Sequence, residues 1–250
     1  MRKYDFVIRI SKDEFKIFYN KKNQIKFLNF NFPNEIIEFT DRMNYLKDNL
    51  LKILKENRIK AKRVKILIDE DDNFFYTTTF PITPEEEFKN IVNFELKKYF
   101  KNIEFVGDYL LLNIEKNQKI AVVCGIKSIY FEFLKSIFKD MKLEIEFISF
   151  PFDPIFSLFA NFYKEGSYFV INFSFCWTYF LYINNGKLIY VRGAKNISLN
   201  WLIDIISREF LISRENVKGK FESMPLFEDK EYFFRVRSFF EDFIKEINVT

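Results

Sequence analysis

The sequence predicts an α/β fold with two lobes, because the same order of elements begins each half of the chain. Three short runs of alternating apolar residues are followed by an amphipathic helical pattern, first from residue 6 and again from residue 168. Pro151 and Pro154 punctuate the chain between the two copies. We therefore expect a first lobe over residues 1–150 and a second lobe over residues 151–250.

Each element is predicted from the period of its apolar residues. In the first lobe, strands are predicted at 6–10, 15–19, 25–32, 64–68, 74–79, 108–114, 119–124 and 143–148. Helices are predicted there at 41–56, 83–100 and 128–141. In the second lobe, strands are predicted at 168–173, 178–183 and 188–192, and helices at 199–210 and 232–247. Asn185-Gly186 adds a strong hairpin turn signal between two of these strands.

The composition excludes several classes of enzyme. The chain of 250 residues has no His, which removes imidazole general-base catalysis, a Ser-His-Asp triad and His-ligated metal sites. Cys124 and Cys176 lie in apolar strand-like runs and are expected to be buried reduced thiols. A formal charge of +4 is too balanced to indicate nucleic acid or an anionic membrane as partner. No run reads as a signal peptide or a membrane span, so we expect a cytoplasmic protein.

The helix predicted at 83–100 has the clearest start signal in the chain. Thr83 is expected to cap the first turn, with Pro84 at the first helical position and Glu86 completing a capping box. The same helix has an apolar stripe that predicts a core-facing side, formed by Phe88, Ile91, Val92 and Tyr99. Any helix packed on a sheet would show such a stripe, so the stripe alone does not indicate a binding surface.

Two residues of this helix do not fit a closed core. Phe94 lies away from the stripe, and an exposed aromatic side chain is a good candidate for a partner contact. Glu95 interrupts the stripe, where a closed core would not tolerate an unpaired charge. We therefore expect this end of the helix to be an open surface.

Four segments follow the residue order of a known family. Residues 63–100 form a strand, an acidic turn, a strand and a helix that contains Glu85 to Glu87, Ile91, Phe94, Glu95 and Tyr99. The other three are Asp108-Tyr109 before a hairpin, the strand-turn-strand at 170–183, and Gly193 before a helix followed by Ile212-Ser213-Arg214-Glu215-Asn216 and Lys220. In this order and spacing the sequence resembles the type IV pilus assembly protein PilM family and, more distantly, the cytoplasmic part of type II secretion protein L.

The resemblance implies an actin-like, ribonuclease H-like fold with a small subdomain inserted at about residues 62–143 and a shortened second lobe. It also implies a non-enzymatic scaffold of a type IV pilus or type II secretion-like machine at the inner face of the cytoplasmic membrane. Such a protein binds the short cytoplasmic tail of a PilN-like inner-membrane protein and reaches the membrane only through it. Phe94, Glu95, Lys98 and Tyr99 are the residues expected at the rim of the binding groove. A homo-oligomer is left open.

The family's two phosphate-binding turns both depart from its pattern in this sequence. Arg9 stands where the family has Asp, and Ser11 stands where it has Gly; Asn172 and Ser174 make the same two changes in the second turn. In the family the Asp residues hold Mg²⁺ and the glycines let backbone N–H groups approach phosphate. A complete member also has a further strand and helix region that closes over the adenosine, after the position where this sequence ends. We therefore expect a pseudo-ATPase with no nucleotide cofactor, no metal and no catalytic residue.

The nearby charged residues are expected to have no catalytic part. Arg9 is interpreted as a strand residue that faces solvent, and residues 69–72 as a solvated acidic turn. Two alternative functions stay open. In an active ATP-binding ATPase, Arg9 or Lys16 would replace Mg²⁺ as counter-charge. A nucleic-acid-binding module would use Lys97, Lys98 and Lys101 beside exposed aromatic residues.

Overall fold

The computed structural model describes residues 5–22, 24–33, 35–70, 73–99, 104–115, 118–221 and 230–249. The chain divides into two compact units, Met1–Leu158 and Phe159–Thr250. The sequence placed this division at residue 150, because of Pro151 and Pro154. In the structure Pro154 lies in the first turn of a helix, where proline is tolerated, and the division falls within that helix.

The elements of the first unit follow the predicted order. Its strands are β1 (Phe6–Ser11), β2 (Glu14–Lys21), β3 (Gln24–Asn31), β4 (Arg63–Asp69), β5 (Phe74–Pro81), β6 (Phe105–Glu115), β7 (Gln118–Lys127) and β8 (Glu144–Ser149). Its helices are α1 (Phe39–Glu56), α2 (Glu85–Tyr99), α3 (Ser128–Asp140) and the start of α4 (Phe152–Phe162).

The second unit repeats the opening order of the first. After the end of α4 it contains β9 (Ser167–Phe173), β10 (Thr178–Asn184), β11 (Lys187–Ala194), α5 (Leu199–Phe210), α6 (Arg214–Phe221) and α7 (Lys230–Val249). The predicted repeat of three strands and a helix is thus confirmed in both units. None of the helices within the described ranges combines the length and apolar character needed to cross a membrane.

The main sheet of the first unit has the order β3-β2-β1-β4-β8. Strand β1 is antiparallel to β2 and parallel to β4, and β4 is parallel to β8. Phe6, Ile8 and Ile10 alternate with half-buried residues along β1, and α1 and α3 contact each other and contribute further buried rows to the core. Because β1 and β4 run parallel, their carboxyl ends lie at the same edge, with Ser11 opposite Asp69.

A second sheet, with the order β5-β7-β6, lies in the chain between β4 and α3. Helix α2 contacts β6 and buries Phe88 and Val92 in a small apolar cluster. The ring of Phe88 meets Phe80 and Tyr109 edge-on, with centroids 4.9 and 4.5 Å apart. Such aromatic pairs stabilise the packing beyond the area that they bury.

The predicted cap of α2 is wrong. The helix begins at Glu85, and its first bond runs from the Phe88 N–H to the Pro84 carbonyl, so Thr83 lies before the first turn. The Thr83 hydroxyl is buried and has no hydrogen-bond partner among the described residues. Instead, the Thr83 carbonyl accepts a bond of 2.7 Å from the Lys119 ammonium group, which fixes the start of the helix to the sheet.

The sheet of the second unit has the order β11-β10-β9 and is antiparallel throughout. This is the same order as β3-β2-β1 of the first unit, with β9, β10 and β11 in the places of β1, β2 and β3. Helices α5 and α7 contact each other and bury Ile206, Val236 and Phe239 against Phe180 of β10. The unit therefore has an apolar core of its own.

We expect Phe88→Ala to lower the free energy of unfolding by about 3–5 kcal/mol, because a fully buried ring leaves a cavity when it is removed. The matched control on the same helix is Phe94→Ala, which removes an exposed ring and should change stability by no more than about 0.5 kcal/mol. Urea unfolding followed by circular dichroism measures both. Equal losses in the two variants would contradict this description of α2.

Candidate functional site

The first candidate turn joins β1 to β2 and is held by an ion pair. The Arg9 guanidinium lies 2.6 Å from the Asp69 carboxylate at the end of β4. Asp69 is fully buried and Arg9 is about three-quarters buried, with 25% of its side chain exposed. Arg9 therefore does not face solvent as the sequence suggested, because the parallel pairing of β1 with β4 brings a buried carboxylate to it.

A second ion pair lies beside the first. Arg42 of α1 donates to the Glu70 carboxylate over 2.9 Å, and both side chains are buried. Its other terminal nitrogen donates to the Lys12 carbonyl in the turn, at 2.8 Å. Helix α1 thus supplies the cation that neutralises Glu70 and also fixes the turn.

The interpretation of residues 69–72 as a solvated turn is wrong for Asp69 and Glu70, which are both buried. Residues 71 and 72 lie outside the described part of the chain. A charged residue near the end of β1 and another at the end of β4 were the available signal for the Arg9–Asp69 pair. It could not be used without knowing that β1 and β4 pair in this register.

Polar groups of the first turn form hydrogen bonds within the protein. The Ser11 hydroxyl is buried and donates to the Glu14 carbonyl at 3.0 Å, and the Asp13 carbonyl accepts from the Phe32 N–H at 2.8 Å. The two cations and two anions of the adjacent ion pairs balance. A phosphate at this turn would find no net positive charge in that cluster.

The second candidate turn joins β9 to β10 and is closed in a different way. The carbonyls of Ser174 and Phe175 accept hydrogen bonds from the Leu199 and Asn200 N–H groups, at 3.0 and 2.9 Å. The Trp201 N–H donates to the Ser198 hydroxyl at 3.3 Å, as in a helix cap. The first N–H groups of α5 are therefore occupied by the protein itself, although a helix N-terminus commonly binds phosphate.

Apolar side chains fill the second turn. Cys176 and Trp177 are buried, and the Lys195 ammonium lies 4.5 Å from the centre of the Trp177 ring. Asn172 is half-buried and stands opposite Tyr179, and the Ser174 N–H donates to the Trp177 carbonyl at 3.0 Å. Ser174 thus lies in the turn, and Asn172 lies in β9 two residues before it.

Two further observations bear on chemistry. Within the described ranges, no three His, Cys, Asp or Glu side chains lie close enough together to hold a metal ion.

Both cysteines are free thiols. Cys176 is buried, as expected, whereas Cys124 is only partly buried. Desolvation, with the Asp108 carboxylate nearby, raises the pKa of Cys124 to about 12, so this thiol is not a thiolate nucleophile near neutral pH.

The predicted partner-binding residues lie in the C-terminal half of α2. Phe94 is 67% exposed, which confirms that its ring is off the buried side, and Glu95 is half-buried. Lys98 and Tyr99 belong to the helix, but their side chains lie outside the described part of the structure. The role of all four residues in binding stays a prediction.

Sequence reasoning missed exposed apolar residues on β6, the edge strand that α2 contacts. Leu111 lies on the same side of β6 as Phe105 and Tyr109, which pack on the α2 cluster, yet it is exposed. Val106 and Leu110 are exposed on the opposite side. The run Tyr109 to Leu112 gave a signal of high apolar content, but the sequence could not show that β6 lies at an edge.

Comparisons with known proteins place the fold. No family model matches the chain, and no curated protein matches it. A solved structure of a PilM–PilN type IV pilus biogenesis complex aligns with a TM-score of 0.75 and 16% identity, over 99% of this chain and 76% of that chain. Together with the duplicated order of strands and helix, this likeness shows that the chain has the actin-like ATPase fold, and the predicted α/β fold class is confirmed. The inserted subdomain and the shortened second lobe stay predictions.

The fold is in particular the one seen in PilM, so the predicted resemblance is confirmed at the level of the fold. Two other structures align at lower scores. The cytoplasmic domain of EpsL, an inner-membrane component of the Vibrio cholerae type II secretion system, has a TM-score of 0.46 and 7% identity, over 83% of this chain and 76% of that one. A Bacteroides thetaiotaomicron protein of unknown function with an actin-like ATPase fold has a TM-score of 0.44 and 16% identity, over 84% and 78%.

We expect Glu70→Gln to lower the free energy of unfolding by about 3–5 kcal/mol, because it leaves the buried Arg42 guanidinium without its carboxylate. The control is Asp140→Asn, which breaks the exposed ion pair with Lys47 and should cost at most about 1 kcal/mol. Urea unfolding of both variants measures the difference. A Glu70→Gln loss no larger than that of the control would show that the buried pair does not hold the turn.

Proposed function

We propose that this chain is a non-enzymatic scaffold of a type IV pilus or type II secretion-like machine that binds the cytoplasmic tail of a PilN-like inner-membrane protein. The observation that carries the proposal is the likeness to PilM over 99% of the chain, since the PilM of that structure is in a complex with PilN. In this role the protein works at the cytoplasmic face of the inner membrane and reaches the membrane through its partner.

The closed state of both turns supports a pseudo-ATPase. For Mg-ATP to bind in the first turn, a Mg²⁺ ion would need carboxylate or water ligands where Arg9 already neutralises Asp69. In the second turn, phosphate oxygens would have to displace the Ser174 and Phe175 carbonyls from the start of α5. Each change breaks bonds already made within the protein, and the hydrolytic step would still lack its metal site.

The surface of α2 and β6 supports the binding of an extended tail. Strand β6 pairs only with β7 among the described strands, so its other edge can accept backbone hydrogen bonds from an added segment. Phe94 offers an exposed ring as an anchor on α2, the helix that contacts this edge strand.

The charge of α2 is suited to such a tail. Its first turn carries the exposed carboxylates of Glu85, Glu86 and Glu87, and Glu95 follows two turns later. Cytoplasmic segments next to a membrane span carry an excess of Lys and Arg. A basic tail would therefore be attracted to the acidic first turn of α2, while the exposed Lys89 and Lys97 further along the helix would repel it, which favours one orientation of the tail.

We expect calorimetric titration with Mg-ATP to show no saturable binding, because the groups that would hold phosphate and metal are already bonded within the protein. The melting temperature should likewise stay unchanged with added Mg-ATP, since a ligand that binds only the folded state raises it. Saturable micromolar binding would contradict the proposal. Its loss in Arg9→Ala would then favour an ATP-binding protein that uses Arg9 as counter-charge.

We expect a peptide that copies the cytoplasmic tail of a PilN-like protein from the same genome to bind, and Phe94→Ala or Glu95→Lys to weaken binding by about tenfold or more. Fluorescence polarisation of the labelled peptide measures the affinity. The control is Phe234→Ala, which removes an equally exposed ring from α7. Unchanged affinity in both α2 variants would remove the site assignment, and failure of the wild-type protein to bind would contradict the tail-binding role.

A further inference from the structure

The β5-β7-β6 sheet joins the rest of the first unit through two crossings of the chain. The first crossing runs from Asp69 at the end of β4 to Phe74 at the start of β5. The second crossing runs from Lys127 at the end of β7 directly into Ser128 of α3. Helix α2 and strand β6, which carry the surface proposed for tail binding, lie in the chain between the two crossings. Contacts that fix both crossings therefore limit where this surface can stand relative to the main sheet.

Arg42 of α1 holds the first crossing through a buried charge. Its guanidinium donates to the Glu70 carboxylate over 2.9 Å, and only 5% and 7% of the two side chains are exposed. The buried Asn73 closes the same crossing, because its side-chain amide donates to the Ile68 carbonyl at 2.7 Å. Moving the crossing away from α1 would separate Arg42 from Glu70 and leave two buried charges apart, which is strongly unfavourable.

Phe39, at the start of the same helix, holds the second crossing through its ring. The ring is buried and stacks on Tyr130 in the first turn of α3, with centroids 4.1 Å apart. The Lys127 ammonium group, at the end of β7, lies 5.2 Å from the centre of the Tyr130 ring. Helix α3 also contacts both β6 and β7. The stacking of Phe39 on Tyr130 therefore ties α1 to the second crossing, beside a cation–π contact that Tyr130 makes with the end of the strand.

The two contacts form one cluster on α1. Phe39 and Arg42 are three residues apart, which puts them on the same side of the helix, and the Arg42 guanidinium carbon lies 5.9 Å from the centre of the Phe39 ring. We propose that Phe39 and Arg42, the α1 clamp, hold both crossings at once and keep the β5-β7-β6 sheet in one position relative to the main sheet. They thereby position the α2–β6 surface for the tail, a part of the inference that rests on the proposed function.

The chemistry of the clamp suits positioning better than net stability. A buried ion pair adds little stability compared with apolar residues of the same size, but it excludes arrangements that separate its charges. Arg42 is further fixed by its bond of 2.8 Å to the Lys12 carbonyl, so its guanidinium cannot follow Glu70 to a new position without losing that bond. Without the clamp the sheet would sample several positions, and the tail would bind only the fraction of molecules in the competent one.

Distances between two spin labels test the clamp without any partner. The labels are attached at Leu51→Cys on α1 and Leu110→Cys on β6, two exposed positions of which only the second lies between the crossings. The native thiols react slowly with the label, because Cys176 is buried and the pKa of Cys124 is raised to about 12. This doubly labelled parent protein should give one narrow distance distribution.

Tyr130→Leu should broaden that distribution, because it removes the half-buried ring on which Phe39 stacks. Glu70→Gln should broaden it as well, where circular dichroism shows that the variant is folded. The control is Tyr45→Leu, the same substitution at a half-buried ring of α1 that meets Phe32 edge-on, with centroids 6.0 Å apart. Its distribution should stay as narrow as that of the parent. A broad distribution in the parent, or equally narrow distributions in Tyr130→Leu and the control, would overturn the clamp.

The affinity for the tail tests what the clamp does for binding. In fluorescence polarisation with the tail peptide, Tyr130→Leu should bind about fivefold or more weakly than Tyr45→Leu, although Tyr130 lies outside α2 and β6. Unchanged affinity together with a broadened distance distribution would overturn the positioning role. If the wild-type protein binds no tail peptide, the proposed function fails and the positioning role with it, while the distance distributions still decide whether the clamp exists.

Discussion

The parallel pairing of β1 with β4 is the constraint on which the first unit depends, because it brings buried charges of opposite sign together. Arg9 must meet Asp69, and Arg42 must meet Glu70, since an unpaired charge in either place would be strongly unfavourable. A shift of one residue in the β1–β4 register would turn Arg9 toward the other face and leave Asp69 without it. We therefore expect the charges to fix the register more than they add net stability. They also keep the turn between β1 and β2 in one conformation, through the bond from Arg42 to the Lys12 carbonyl.

The second unit closes its turn with backbone hydrogen bonds. There, backbone carbonyls of Ser174 and Phe175 meet the first N–H groups of α5, and the Ser198 hydroxyl completes the cap. The two units share one order of strands and helix, yet each closes its turn with different chemistry. In each unit, polar groups of the turn are bonded within the protein.

Much of the fold could be predicted from sequence, because the spacing of apolar residues along the chain indicates where the strands and helices lie. The alternation along β1 and the stripe of α2 depend only on which residues neighbour each other in the chain, and Phe88 and Phe94 lie where that stripe predicts. The partners of Arg9 and Arg42 could not be predicted in this way, since Asp69 and Glu70 are distant in sequence and meet them only through the order of the strands. The prediction that Thr83 caps α2 was wrong for a related reason. Lys119, from a strand later in the chain, binds the Thr83 carbonyl, and the helix begins after it.

One side of α2 is packed in the protein and the other side is exposed to solvent. Phe88 is held among other rings in a packed cluster, while Phe94, less than two turns away, has most of its surface in solvent. Residues that share no contacts act on stability almost independently. Phe94 can therefore be replaced with little effect on the apolar cluster of α2, whereas Phe88 has no such freedom. A substitution at Phe94 would thus change the exposed side of α2 and leave the packed cluster on its other side intact.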